Sequence, residues 1–175
     1  MVLRDFNLLI STSRGNEGNA CSEAWFLLGE IGDREALVEK TNVVGLIVAK
    51  TILDPFKVIE DLRRILKERP EEFRYILRVI PVELVTHTNP DEIKKAVAKL
   101  SSKILEGETF RVTVEKRHSD LSTNEIINAA ASVIERRVDL EKPDKIVLIE
   151  VVGGLTGISI IRPKDVLSII KEKSG

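Results

Sequence analysis

The sequence predicts an α+β protein built in two halves, on three observations. Short β-branched runs alternate with segments whose apolar residues recur at helical spacing. The elements follow the order βαββαβ before a polar THTNP stretch and αβαββα after it. Asn89 and Pro90 then open a new helix directly beyond that stretch. The first pattern is that of a ferredoxin-like unit. The boundary is expected near His87, giving a ferredoxin-like domain at 1–86 and a second α/β domain at 87–175.

Asp5 to Thr12 reads as a short buried strand, and the turn-rich STSRGNEGN run leads to a helical pattern from about Ala20. That helix carries Ala20, Ala24, Leu27 and Leu28 on one face and fades at Gly29 or Gly32. A strand is expected at Ala36 to Thr41, and another at Val43 to Lys50, where β-branched residues dominate. Asp54 is the expected N-cap of a helix whose inner stripe is Val58, Ile59, Leu62, Ile65 and Leu66, stopped by Pro70. Arg74 to Val85 reads as the next strand, with Pro81 marking an edge or a break.

In the second half, Asn89, Pro90 and Glu92 form a helix start with capping-box spacing, and Ile93, Val97, Leu100 and Ile104 form the buried stripe. The following strand alternates strictly: Phe110, Val112 and Val114 on one face, Arg111, Thr113 and Glu115 on the other. Ser122 and Glu125 make a second capping box, for a helix with Ile126, Ala130, Val133 and Ile134 inside. Lys145 to Val152 and Leu155 to Ile161 are strands joined by Gly153 and Gly154, a dipeptide suited to a tight hairpin turn. A terminal helix is expected after Pro163.

Composition narrows the function. The chain has 175 residues, 43% hydrophobic and 31% charged, and its 27 basic and 28 acidic side chains leave a formal net charge of -1. A polyanion therefore finds no global attracting field, so any nucleic-acid contact needs a local group of cations. The single cysteine, Cys21, excludes an intramolecular disulfide and a cysteine-based zinc site, which points to an intracellular, cytoplasmic protein. A secretion signal is not apparent, and the apolar runs are too short to span a bilayer, so no membrane association is expected. Gln is absent while Lys, Arg, Glu, Ile and Val are plentiful, a bias resembling that of heat-resistant proteins.

Candidate chemistry is sparse. His87 and His118 fall in expected loops without metal-ligand spacing, so no metal and no cofactor are expected. Cys21 reads as a packing residue near a helix start, the alternative being a nucleophile met by His118. Arg14, Gly15, Asn16, Gly18 and Asn19 either cradle a phosphate or only connect a strand to a helix. Lys116, Arg117, His118 and Ser119 gather where a strand end feeds a helix start, a suitable place to grip a phosphodiester, with Arg111 joining from the exposed face. The other reading of that cluster is a solvated turn whose cations pair with Asp120 or Glu115.

The segment Phe110–Ile161 resembles the THUMP domain of thiouridine synthases, RNA methyltransferases and pseudouridine synthases. The likeness rests on a strand ending in Lys116 and Arg117, the capped helix at Ser122, the VDLEKPD link at Val138 to Asp144, and a strand pair beginning IVLIEV. The ferredoxin-like half looks like the unit that usually precedes this module, so the family's profile start is expected at 87 or upstream near 56. The resemblance implies docking of a tRNA acceptor end by Lys116, Arg117 and His118, with Arg111, Arg14 and Arg78 as additions. The chain contains neither a methyltransferase glycine loop nor an ATP-pyrophosphatase loop. It is similar to stand-alone THUMP proteins that present tRNA to an acetyltransferase making N4-acetylcytidine, a non-enzymatic adaptor role whose partners are tRNA and the modifying enzyme. The alternatives are an RNA-binding subunit for thiolation or methylation, a protein-interaction module that never touches RNA, and a small enzyme using Cys21.

Shape recognition of a folded RNA is the expected mechanism. Five Phe, one Tyr and one Trp, with no strand of alternating exposed aromatics, argue against a base-stacking platform.

Overall fold

A computed structural model describes residues 3–174. In chain order the elements are β1 (Leu8–Ser11), α1 (Glu17–Glu30), β2 (Leu37–Lys40), β3 (Leu46–Lys50), α2 (Pro55–Glu68), β4 (Arg78–Pro81), β5 (Leu84–His87) and α3 (Pro90–Leu100). They continue as β6 (Thr109–Arg117), α4 (Thr123–Ala131), β7 (Arg137–Val138), β8 (Lys145–Val152), β9 (Leu155–Ile161), β10 (Leu167–Ser168) and α5 (Ile169–Ser174). These form two compact units: the chain up to Val82 together with the residues from Asp165 onward, and Glu83–Lys164.

In the first unit, β1 to β4 with α1 and α2 follow the βαββαβ order read from the sequence. The sheet runs β10-β4-β1-β3-β2, every pair antiparallel. Alternation puts Leu8, Ile10, Ile47, Ala49 and Val79 on the face that meets Ala20, Ala24, Leu27 and Leu28 of α1 and the Val58–Leu66 stripe of α2. Each such Leu or Ile contributes roughly 1.5–3 kcal/mol by leaving water. The Asp54 side chain accepts from Phe56 N at 2.9 Å, the cap expected of it. Helix α1 starts at Glu17, earlier than the apolar pattern suggests, because its first turn is polar.

Three carboxylates fasten this unit through backbone amides. Glu23 on α1 accepts from Arg74 N (2.8 Å), Tyr75 N (3.1 and 3.2 Å) and Ile76 N (2.8 Å). Glu17 accepts from Gly15 N and Gly45 N, both at 2.9 Å, joining two turns. Gly45 has φ +78, and a Cβ there would sit 2.8 Å from the Thr12 carbonyl oxygen, so no other residue fits without moving backbone. Asp33, 2% exposed, accepts from Thr51 Oγ1 (2.6 Å), Ile52 N (3.0 Å) and Glu35 N (3.1 Å).

Burial pushes the Asp33 carboxyl up, but the bonds from Thr51, Ile52 and Glu35 outweigh it and hold the group below the usual aspartate value. A depressed folded-state pKa means stability that is present above the unfolded value, about 3.9, and lost as pH falls through the folded one. Asp33→Asn should therefore melt well below the parent at pH 7, with the gap narrowing as pH is lowered from 5 towards 2. A gap that stays constant over that range in thermal melts would remove Asp33 as the linked group.

In the second unit the sheet order is β5-β9-β8-β6-β7, with β6 parallel to β8 and to β7 and the remaining pairs antiparallel. Parallel pairing requires a crossover, and α4 supplies it between β6 and β8. Ile93, Ala96 and Val97 of α3 and Ile126 and Ala130 of α4 cover Phe110, Val147, Ile149, Val151, Ile158 and Ile160. Both expected caps are present: Asn89 Oδ1 accepts from Glu92 N at 2.8 Å and Ser122 Oγ from Glu125 N at 3.0 Å.

Two boundaries differ from the sequence reading. The strand expected at Arg74 to Val85 is two strands in different sheets: Val82 N donates to Asn7 O in the first unit, and Glu83 N to Ile158 O in the second. Pro81 lies at the break, where it ends β4 without a backbone donor. The expected division into 1–86 and 87–175 shifts accordingly, since β5 already belongs to the second unit. The chain from Asp165 returns to the first unit: Leu167 pairs with Val79, Ser168 with Arg78, and Leu167 and Ile169 enter the first core. An edge pairing across so long a stretch of sequence leaves no local periodicity to read.

Candidate nucleic-acid interface

Parallel pairing of β6 and β8 brings the end of β6, the β8–β9 turn and the end of β5 to one edge of the second sheet. His87 pairs in register with Leu155, Thr88 N donates to Gly154 O at 3.0 Å, and Gly153 N donates to Arg117 O at 2.9 Å. Gly153 has φ +60, as the tight turn requires, and Gly154 is exposed. Helices α3 and α4 both begin here, capped by Asn89 and Ser122 and carrying Asp91, Glu92 and Glu125 in their first turns. The rim spans three strand spacings from β5 to β6, roughly 14 Å. It carries exposed His87, Lys116 and His118.

His118 takes φ +55, a left-handed conformation that reverses the chain out of β6. The turn is held from within: Lys116 Nζ donates to Leu121 O at 2.7 Å and Leu121 N to Ser119 Oγ at 3.3 Å. An ammonium has three N–H groups, so this bond uses one and fixes the charge at the rim.

Arg117 behaves differently. Strand alternation turns it to the face opposite Lys116, where its Nη1 donates to Glu150 Oε2 at 2.7 Å. The Glu150 side chain is 1% exposed and that of Arg117 24%. Arg117 is thus committed to a buried carboxylate, and the expected group of Lys116, Arg117 and His118 reduces to Lys116 and His118. Arg111 is also separate: five residues from Lys116 along β6, about 17 Å, it donates to Leu140 O at 3.0 Å and to Thr113 Oγ1 at 3.2 Å. There it holds the link that follows β7.

Arg14 and Arg78 lie in the first unit. Arg14 is exposed in the β1–α1 loop, but the Gly15 amide next to it donates to Glu17, so the protein's own carboxylate occupies the place offered to a phosphate. That hydrogen bonding, with Gly45 N as the largest contributor, holds the Glu17 carboxyl below its usual range. Arg78 is half-buried on β4 between Ser11 and Ser168. Cys21 is partly buried, and desolvation raises its thiol pKa, the opposite of what a nucleophile needs. Among the described residues no three His, Cys, Asp or Glu side chains group as metal ligands, and no helix is long and apolar enough to cross a membrane.

Sequence reasoning placed His87 in a loop and overlooked it for the site. The signal was the boundary itself, since a β-branched run ending in His just before an N-cap puts that side chain at a strand end.

The comparisons with known proteins agree with this architecture. An uncharacterized protein of Methanocaldococcus jannaschii is 34% identical over 170 residues, covering 94% of this chain and 43% of that protein. A crystal structure from Pyrococcus horikoshii matches with TM-score 0.61 at 18% identity over 90% of this chain and 55% of that one. A 4-thiouridine synthetase, solved as an RNA complex with bound ATP, matches with TM-score 0.55 at 17% identity over 90% of this chain and 42% of that one. The chain therefore spans about half the length, or less, of each of these proteins. The family model described as the THUMP domain matches from His87, the last residue of β5, to Ile161, the last of β9, and so covers the rim-bearing sheet from one edge strand inward. Residues 87–161 of this chain are a THUMP domain.

Proposed function

We propose that this chain binds tRNA through the β5–β6 rim of its THUMP domain and acts as an adaptor, presenting the RNA to a separate modifying enzyme. The observation that carries the reading is the rim itself: Lys116 and His118 on one side of the Gly153–Gly154 turn and His87 on the other. Such a set of donors suits phosphates and riboses and offers little to base edges. A fold shared with a synthetase solved bound to RNA supports the same assignment. The reaction favoured by the sequence resemblance is N4-acetylation of cytidine, with thiolation and methylation as the alternatives. In this reading the chain is not itself the catalyst, which accords with the raised pKa of Cys21.

With unfractionated tRNA in a fluorescence-anisotropy titration, Lys116→Ala should weaken binding several-fold. It should also make the slope of log affinity against log salt shallower by about 0.9, the value of one lost phosphate contact. An unaltered slope takes Lys116 out of the interface. The adaptor role is tested by assaying a tRNA acetyltransferase with and without this chain: no gain in product, while tRNA still binds, redirects the reading to another modification.

A further inference from the structure

The first unit contains a cleft lined by cations. A cleft of about 500 Å³ opens between α2 and α5, lined by Arg63, Leu66, Lys67, Lys171, Glu172 and Lys173, with Pro70 at its end. Four cations face one carboxylate there. That carboxylate is already neutralised, since Arg63 Nε donates to Glu172 Oε1 at 2.8 Å. Lys173 Nζ donates to Phe73 O at 3.1 Å, which pins its charge at the cleft. Lys67 and Lys171 are exposed, and among the described residues neither ammonium has an ion pair.

Structural roles explain part of this arrangement. Lys67 lies in the last turn of α2 and Lys171 and Lys173 in that of α5, where cations complement the carbonyl ends of helices. That role does not require cations from two elements far apart in sequence to line one concavity. On a chain whose formal net charge is -1, a concavity with three cations beyond its one paired carboxylate is a local focus of positive potential.

We propose that this cleft binds the ribose-phosphate backbone of tRNA, with Lys67 and Lys171 contacting phosphates and Lys173 contributing field. The proposal rests on the tRNA-binding reading above. It assigns RNA contacts to the ferredoxin-like unit at residues other than Arg14 and Arg78.

The test uses the full chain and unfractionated tRNA. Lys67→Gln combined with Lys171→Gln should lower affinity roughly 10-fold near 0.1 M salt and make the salt slope shallower by about 2. In parallel, lysine acylation read by mass spectrometry should show both residues protected by bound tRNA and unprotected by tripolyphosphate at the same phosphate concentration. Wild-type binding with an unchanged slope in the double variant overturns the cleft and leaves the THUMP reading intact. Equal protection by tripolyphosphate reassigns the cleft to small anions and also overturns it. Absence of tRNA binding by the wild type removes both. Circular-dichroism melts of the double variant should match the parent, because both side chains are exposed.

Discussion

Arg117→Ala should destabilise the second unit by about 3–5 kcal/mol, because it withdraws a guanidinium from a carboxylate that is 1% exposed. Lys116→Ala, one residue away on the opposite face, should change stability by no more than about 0.5 kcal/mol. The chain's one Trp and one Tyr, Trp25 and Tyr75, both lie in the first unit, so the measurement must be amide hydrogen exchange of β6 and β8 or far-ultraviolet melting. A loss below about 1 kcal/mol would mean that the Arg117–Glu150 pair contributes little. This contrast governs how binding is tested. Changing Lys116 and Arg117 together conflates a lost contact with a loosened sheet, whereas Lys116 alone leaves the Arg117–Glu150 pair in place.

Glu23→Ala should cost the first unit about 2–4 kcal/mol, since three consecutive backbone amides, Arg74 to Ile76, lose the acceptor that α1 extends to them. Glu23→Gln keeps one acceptor oxygen and should recover part of the loss. Trp25, two residues along the same helix and 53% exposed, provides a fluorescence signal for urea titrations of this unit. Equal midpoints for the parent and Glu23→Ala would show that water satisfies those amides as well as the carboxylate does.

Most elements were legible because each rests on a local rule. The helical stripe from Val58 to Leu66, the caps at Asp54, Asn89 and Ser122, and the Gly153–Gly154 turn all appear where spacing and residue type place them. Illegible features depend on distant partners. Leu167 and Ser168 carry no sign in their own neighbourhood that Val79 and Arg78 await them, and the change of sheet between Val82 and Glu83 has only Pro81 as a hint.

The site divided along the same line. A local cluster of cations was visible at 116–118, but whether each faces solvent depends on Glu150, which is 33 residues from Arg117 in sequence and two positions short of its register partner Val152. Nothing in the sequence pointed to the cleft cations, because Lys67 and Lys171 come together only when α5 folds back beside α2.

That return has a kinetic meaning. On a ribosome, the sheet first encoded lacks one edge strand, β10, until Leu167 and Ser168 emerge, whereas everything needed for the second unit's sheet is available once Ile161 has cleared the exit tunnel. The later-encoded module can therefore mature first. Removal of Leu167 to Ile169 should then injure the part of the protein made earliest.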